Sequence, residues 1–159
     1  PSWPNSCHVC EVEIDPNTGC TEIVRYISGD DVGTVINPLI VAGQVHGGIA
    51  QAVGQALLED TRYDSQTGQL LTGSLLDYCL PRADDLCEIT TFTDESSPCE
   101  INPLGAKGVG ELGTVGGTPT VLNAVLDALR TVGVKTIEMP ATPEKIWLAI
   151  QAAKRKHVA

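Results

Sequence analysis

The sequence is short of positive charge. Ten Lys and Arg residues stand against 20 Asp and Glu residues, which gives a formal net charge of -10 at pH 7. A chain with this balance would repel the phosphates of nucleic acids and the headgroups of anionic lipids. We therefore expect no nucleic-acid partner.

Long apolar runs are also missing. No stretch approaches the roughly 20 apolar residues that span a bilayer, and the first residues, PSWPNSCHVC, lack the basic start and apolar core of an export signal. We expect a soluble, cytoplasmic protein without a membrane partner. The chain does not begin with Met, so we further expect a piece of a longer protein or a processed product.

The sequence has a single CxxC pair and nothing to complete it. Cys7 and Cys10 have the spacing of a redox or zinc motif, but no second CxxC or HxxxH is present to close a tetrahedral site. The surrounding residues alternate as in a strand, which places these two thiols on opposite faces. We expect incidental cysteines, no metal ligands and no disulfide framework among the six cysteines.

What is present fits one compact α+β domain covering residues 1–159. Of the 159 residues, 42% are hydrophobic, enough for one core. Strand patterns at residues 8–14 and 21–27 flank a Pro/Asn/Gly turn and predict a hairpin, with a further strand at 88–92. Periodicity and Thr-Pro starts predict about three helices packed with these short strands, over Val41–Glu59 and beginning at Thr118-Pro119 and Thr142-Pro143.

The segment 105–117, GAKGVGELGTVGG, has six glycines around one carboxylate, Glu111. Its GxGxxG pattern suggests dinucleotide binding, but Pro103 argues against a preceding strand and no helix is expected before Pro119. A flexible linker is disfavoured because apolar residues separate the glycines. A packed glycine segment indicates close approach of its backbone to another group. Glu111 is then either a poorly hydrated general base or an ordinary surface carboxylate.

A stripe of uncharged polar residues lies on the helix that begins near Gly43. Gln44, Gly48, Gln51 and Gln55 share one face, opposite the apolar stripe. A solvated helix face more often carries Glu and Lys, so this pattern favours a polar ligand lying against the helix. The alternative is an ordinary solvated face, because Gln is a common helix former.

Several long motifs resemble one family when taken together and in order. CHVCEVEIDPNTG, GQVHGGIAQAVGQALLED and PLGAKGVGELGTVGGTPTVLNAVLDAL are similar to the C-terminal part of the molybdenum-binding subunit of the xanthine dehydrogenase/aldehyde oxidase family, the molybdenum hydroxylases. The resemblance covers nearly the whole chain. It implies that Glu111 is the base beside the metal. It also implies that the cofactor contacts the residues Gln44, Gln51, Lys107, Gly108, Val109 and Gly110.

The resemblance further implies an oxidoreductase that hydroxylates an aldehyde or an aromatic N-heterocycle with water. Its cofactor would be molybdenum-molybdopterin, in the cytosine dinucleotide form, with FAD and [2Fe-2S] clusters on partner subunits or domains. The other partner would be the remainder of the molybdopterin-binding subunit, without which this part would be inactive. The alternatives are a non-catalytic assembly or binding module that retains the fold, and a free-standing nucleotide-binding protein.

Overall fold

The computed structural model describes the backbone of residues 2–158 and the side chains of residues 2–155. This part of the chain forms three strands and three α-helices, which confirms the α+β class. The strands are β1 (Asn5–Ile14), β2 (Thr21–Asp31) and β3 (Ile89–Thr93), and the helices are α1 (Pro38–Val53), α2 (Leu112–Arg130) and α3 (Pro143–Val158). A π-helical turn, Gly54–Leu58, continues α1, and a short 3-10 turn, Ala83–Asp85, precedes β3.

The sheet has the order β1-β2-β3. β1 and β2 form the predicted antiparallel hairpin, and β3 runs parallel to β2. A bulge shifts the register between Glu11 and Val12, so that Val24 has no partner across the ladder. Because a bulge reverses the alternation of side chains, both Ile23 and Tyr26 face inward and are buried.

Helix α1 begins three residues before the predicted start. Asn37 is its N-cap, and the Asn37 side chain accepts hydrogen bonds from the amides of Leu39 (3.1 Å) and Ile40 (3.3 Å), with Pro38 in the first turn. An Asn followed by Pro is a favourable helix start. The apolar stripe of this helix and its π-helical extension is buried as predicted, at Val45, Ile49, Val53 and Leu57.

Helices α1 and α2 pack against each other through glycine. Gly113 faces the backbone of α1 around Gly48, and Gly117 faces Ala52 one turn further along both helices. Since the residue numbers of the contacting positions increase in the same direction along both helices, α1 and α2 run parallel where they touch. The absence of side chains at Gly48 and Gly113 lets the backbones approach closely.

The predicted start of α2 at Thr118-Pro119 is wrong. The helix begins seven residues earlier, at Leu112, and Pro119 lies inside it. Three glycines and an internal proline oppose a helix here on local preference alone. The contact with α1 overrides that preference, while the hydroxyls of Thr118 (3.2 Å) and Thr120 (2.7 Å) bond carbonyls one turn back.

Helix α3 starts at Pro143 as predicted, with the Lys145 amide donating to the Thr142 hydroxyl at 3.4 Å. Its side chains Ile146 and Ile150 are buried in the core, and the amide of Ala141 donates to the Ala56 carbonyl at 2.7 Å. The helix is thereby joined to the end of the π-helical turn. No helix in the described part of the chain combines the length and the apolar character needed to cross a membrane.

The glycine contact predicts opposite effects at two neighbouring positions of α1. A Cβ at Gly48 would lie 2.8 Å from the Thr114 nitrogen and 2.9 Å from Gly113 Cα, whereas one at Gly47 would meet nothing within 4 Å. Gly48→Ala should lower the free energy of unfolding by about 1–3 kcal/mol through overpacking. Gly47→Ala should raise it by roughly 0.5–1 kcal/mol, because Ala is favoured over Gly in helices. Urea unfolding of the two variants tests this, and equal effects would contradict it.

Candidate functional site

The segment before α2 is attached firmly at its start. The Lys107 amide donates to the Val32 carbonyl at 2.8 Å, and the Thr34 amide donates to the Gly105 carbonyl at 3.0 Å. Together with the bridge between Gly33 and Ala106, these bonds make a short antiparallel ladder with the chain that follows β2. The path of the backbone into Gly108 is therefore fixed by the sheet.

The next four residues leave their amides unpaired. Within residues 2–155, no hydrogen bond to a protein acceptor uses the N–H of Gly108, Val109, Gly110 or Glu111. A Cβ at Gly108 would meet nothing within 4 Å, and one at Gly110 would meet only the Gln44 Oε1 atom, at 3.9 Å. The packing of this chain therefore does not require glycine at either position, and both face open space.

The glycines further along the segment have a different explanation. Gly113 and Gly117 face α1, and a Cβ at Gly116 would lie 2.8 Å from the His8 ring. The expectation that the glycines admit a close neighbour holds at these positions, but the neighbour is the protein itself. Only Gly108 and Gly110 leave open space beside them.

Glu111 is the residue that precedes the first turn of α2. Its side chain forms no capping hydrogen bond with the helix, and it is exposed, as is Val115, at 71%. Of the two alternatives left open for Glu111, this part of the chain shows the exposed carboxylate. The carboxylate is unengaged and accessible, and its role as a base stays a prediction.

Gln44 is the one amide of the predicted stripe that reaches the open segment, because its Oε1 lies next to Gly110. The other members contact α2: the hydroxyl of Thr114 donates to Gln51 Oε1 at 3.2 Å, and the hydroxyl of Thr118 donates to Gln55 Oε1 at 3.1 Å. Gly48 is buried under α2. The interpretation of the whole stripe as a ligand face is thus corrected, since most of it is a helix–helix contact.

The GxGxxG pattern does not have the setting of a dinucleotide site. A helix does begin next to its last glycine, earlier than expected, but the preceding residues form turns and a single bridge where that site needs a strand. Of the two arguments against a dinucleotide site, the lack of a preceding strand is therefore confirmed, and the lack of a helix before Pro119 is wrong.

A buried polar cluster beneath α2 was missed by sequence reasoning. His8 Nδ1 lies 2.8 Å from the Tyr26 hydroxyl, His8 Nε2 lies 3.4 Å from Asp30 Oδ1, and Ser28 donates to Asp30 Oδ2 at 2.8 Å. The side chains of His8 and Asp30 are 1% and 0% exposed. The signal was available in the alternation of β1, which directs His8 to the same face as Val12.

Asp31 and Lys107 form a second polar contact at this end of the sheet. Their carboxylate and ammonium groups are 2.6 Å apart, with side chains 17% and 11% exposed. The hydrogen bond from Lys107, followed by one from the Gly33 amide, holds the pKa of Asp31 below its usual value. The charge of the Lys107 side chain is therefore paired with Asp31, so that only the backbone of Lys107 is left to face the open segment.

The cysteines do not form a reactive pair. Cys7 is exposed, whereas burial, followed by the nearby Cys87, raises the pKa of Cys10 to about 12. Among the described residues there is no group of three or more His, Cys, Asp or Glu side chains placed to hold a metal ion.

Comparison with known proteins decides the family. Residues 1–87 match the model of the molybdopterin cofactor-binding domain, which is more than half of the chain. The chain belongs to this family. The resemblance to the molybdenum hydroxylases inferred from the sequence motifs is confirmed.

The relatives are much longer proteins. The chain is 36% identical to the gamma subunit of the 6-hydroxypseudooxynicotine dehydrogenase complex of Paenarthrobacter nicotinovorans, over 97% of the chain and 19% of that protein. It is 39% identical to the carbon monoxide dehydrogenase large chain of Hydrogenophaga pseudoflava, over 94% and 18%. The structure of quinoline 2-oxidoreductase from Pseudomonas putida 86 matches with a TM-score of 0.89 at 42% identity, over 93% of the chain and 19% of that structure.

The raised pKa of Cys10 predicts a labelling pattern. At pH 8 a thiol with a pKa of about 12 is almost entirely protonated, and the thiolate is the form that reacts. Iodoacetamide should therefore leave Cys10 unmodified in the native protein and label it after unfolding in guanidinium chloride. Mass spectrometry of the peptides reads out the result, and rapid native labelling of Cys10 would contradict it.

The contact between Asp31 and Lys107 predicts a pH dependence. Because the folded pKa of Asp31 lies below its ordinary value of 3.8, its contribution to stability is present above that value and is lost as the pH falls through the lowered folded pKa. Asp31→Asn should lower the thermal midpoint at pH 7 and lower it by less at about pH 2.5. A deficit of equal size at both pH values would contradict this account.

Proposed function

We propose that this chain forms one wall of a molybdenum-pterin site in an oxidoreductase that hydroxylates an aldehyde or an aromatic N-heterocycle with water. One observation carries the proposal. The unpaired amides of residues 108–111 lie beside the Gln44 side chain and the free carboxylate of Glu111. A built surface of this kind, in a family defined by molybdopterin binding, supports contact with that group.

The donor set suits such a cofactor. A pterin and its phosphate present oxygen and nitrogen acceptors, and the segment offers several backbone N–H donors together with the Gln44 amide. Backbone amides that point at a common concavity are typical of anion and phosphate sites. Gly108 and Gly110 leave room for a group to lie directly against the backbone, and Val109 is held between them because its side chain packs on the core.

Two of the predicted cofactor contacts, Gln51 and Lys107, have fewer free hydrogen-bonding atoms than the sequence suggested. Gln51 already uses its Oε1 atom as an acceptor for Thr114, so it would meet the cofactor through Nε2 alone. Lys107 uses its amide in the bond to Val32 and its ammonium group in the bond to Asp31. Its remaining contribution is its carbonyl and the placement of Gly108.

When bound, the cofactor would supply the redox chemistry by accepting the hydrogen and the two electrons of the substrate C–H bond, which breaks as the new C–O bond forms. Water provides the oxygen of the new hydroxyl group, and a proton must leave that water as the new bond to carbon forms. We assign this proton to a carboxylate oxygen of Glu111. A base positioned within hydrogen-bond distance of the proton contributes about 10²–10⁴-fold to the rate.

The site needs more protein than this chain. The chain spans about a fifth of the length of the curated relatives it matches, and Glu111 is exposed in it. Large apolar side chains are exposed as well, including Leu39 at 82% and Leu76 at 94%. We propose that the remainder of the molybdopterin-binding subunit covers this surface and excludes water, so that the present part alone is inactive.

The same proposal includes the electron carriers. Among the relatives are a subunit of a dehydrogenase complex and the large chain of a dehydrogenase, as their names state. We propose a cytosine dinucleotide form of the cofactor, a flavin subunit that binds FAD and an iron-sulfur subunit with [2Fe-2S] clusters. Two electrons leave the substrate in each turnover, and these groups would carry them onward.

Substitution of Glu111 tests the proposal. In the intact molybdenum-loaded complex, Glu111→Gln should retain molybdenum and lower kcat by about 10²–10⁴-fold, because the amide cannot take up the proton. Glu138→Gln, at an exposed carboxylate between α2 and α3, is the matched control and should leave turnover unchanged. Metal analysis and steady-state kinetics provide the two measurements.

Normal turnover in Glu111→Gln would favour the competing function, a non-catalytic assembly or binding module. The observation behind that alternative is the set of exposed large apolar side chains, among them Leu39 and Leu76, which fit contact with another protein. Loss of molybdenum from Glu111→Gln would instead make this residue a cofactor-binding group and refute its assignment as the base.

A further inference from the structure

Two consecutive aspartates end strand β2, and they point in opposite directions. Side chains alternate across a strand, so Asp30 faces inward, where it is 2% exposed, and Asp31 faces the opposite side. Each carboxylate contacts a different part of the chain. Asp31 contacts Lys107, which precedes Glu111, and Asp30 contacts His8, whose ring lies against Gly116 after Glu111.

Asp31 holds the start of the segment. Its Oδ2 atom lies 2.6 Å from Lys107 Nζ, and its Oδ1 atom accepts from the Gly33 amide at 2.9 Å. Lys107 is also bound through its own amide to Val32. The last residue before the four free amides is therefore fixed by both its backbone and its side chain.

Asp30 holds the other end through His8. The Asp30 carboxylate lies 3.4 Å from His8 Nε2, and His8 Nδ1 lies 2.8 Å from the Tyr26 hydroxyl. The ring so oriented lies directly under Gly116, where an added Cβ would be 2.8 Å from it. The first turns of α2 therefore pack on an imidazole that is held by a hydrogen bond with the Tyr26 hydroxyl and lies beside the Asp30 carboxylate of β2.

The cost of burying this cluster indicates that it has a use beyond packing. His8 Nε2 and Asp30 Oδ1 have no hydrogen-bond partner within the described residues, although both atoms are buried. A buried carboxylate without full hydrogen bonding destabilises a fold, and an apolar pair of similar size is often as stable or more so. A polar pair does provide a direction-dependent contact, which a pair of apolar side chains lacks.

We propose that Asp30 and Asp31 are positioning residues that fix the two ends of segment 107–116, and with them the place of Glu111 and the free amides of residues 108–111. This inference rests on the proposed function. Neither aspartate touches the reacting atoms in this assignment. They act through His8 and Lys107, and their effect is on the geometry of the base, where a displacement of about 1 Å can cost 10²-fold in rate.

Hydrogen exchange of single amides tests the two attachments without catalysis. In the intact complex prepared from cells that do not make the cofactor, Asp31→Asn should speed exchange of the Lys107 amide about tenfold, because its side-chain anchor is lost. Asp30→Asn should have the same effect on the Val115 amide, which bonds the Glu111 carbonyl at 3.0 Å. Amides of α3 should exchange at wild-type rates in both variants.

Kinetics of the molybdenum-loaded complex supplies the second measurement. Both variants should keep their molybdenum and their KM within about threefold, while kcat falls about 10–100-fold. Asp31→Glu keeps the charge opposite Lys107 and should recover most of the loss. Asp60→Asn is the matched control, since it removes an ion pair of 2.7 Å with Arg62 outside this segment and should change neither measurement.

The outcomes separate the two proposals. Unchanged exchange at Lys107 and Val115 would overturn the positioning role, and so would faster exchange that extends equally to α3. If Asp30→Asn does not fold, Gly116→Ala disturbs the same contact from the helix side and should speed exchange at Val115. Should Glu111→Gln keep full turnover, the proposed function fails, and exchange alone then decides whether the two carboxylates hold the segment.

Discussion

The contact between the glycines of α1 and α2 is the constraint on which the rest of the structure depends. Gly48 and Gly113 let the two helix backbones meet without intervening side chains, and the apolar side chains Val45 and Ile49 are buried beside them. This contact sets the point at which α2 can begin, and therefore where Glu111 sits. It also places Gln44, which lies 66 residues earlier in the sequence, beside Gly110.

The elements that follow from local chemistry could be predicted from the sequence. The hairpin, β3 and the start of α3 depend on turn residues, β-branched runs and a Thr-Pro cap, and the structure confirms all of them. The same Thr-Pro rule failed at Pro119, because a helix start there is a statement about local preference alone. The helix extends back to Leu112 only because its glycines pack against α1. Rules based on local sequence cannot predict that contact.

The candidate site, like the fold, could be predicted from the sequence only in part. The prediction that glycines mark a close approach was correct in kind, yet at Gly113, Gly116 and Gly117 the approaching group is α1 or His8. The polar cluster of His8 and Asp30 could not be read from motifs, because the two residues lie on different strands and meet only through the register of the hairpin. The inward direction of their side chains follows from strand alternation. Sequence analysis, however, assigns apolar residues to the core, and His8 and Asp30 are polar.

The unpaired amides of residues 108–111 limit what can cover this surface. In water they are solvated, and burial without acceptors would cost about 1–3 kcal/mol for each amide. An apolar protein surface placed over them would therefore bind poorly, whereas a group rich in oxygen and nitrogen acceptors would recover the lost hydrogen bonds. The apolar side chains Leu39 and Leu76 have the opposite requirement, since their burial is favourable without any partner atom. The chemistry of the surface thus separates a polar region around Gly108 and Glu111, suited to a cofactor, from exposed apolar side chains suited to protein.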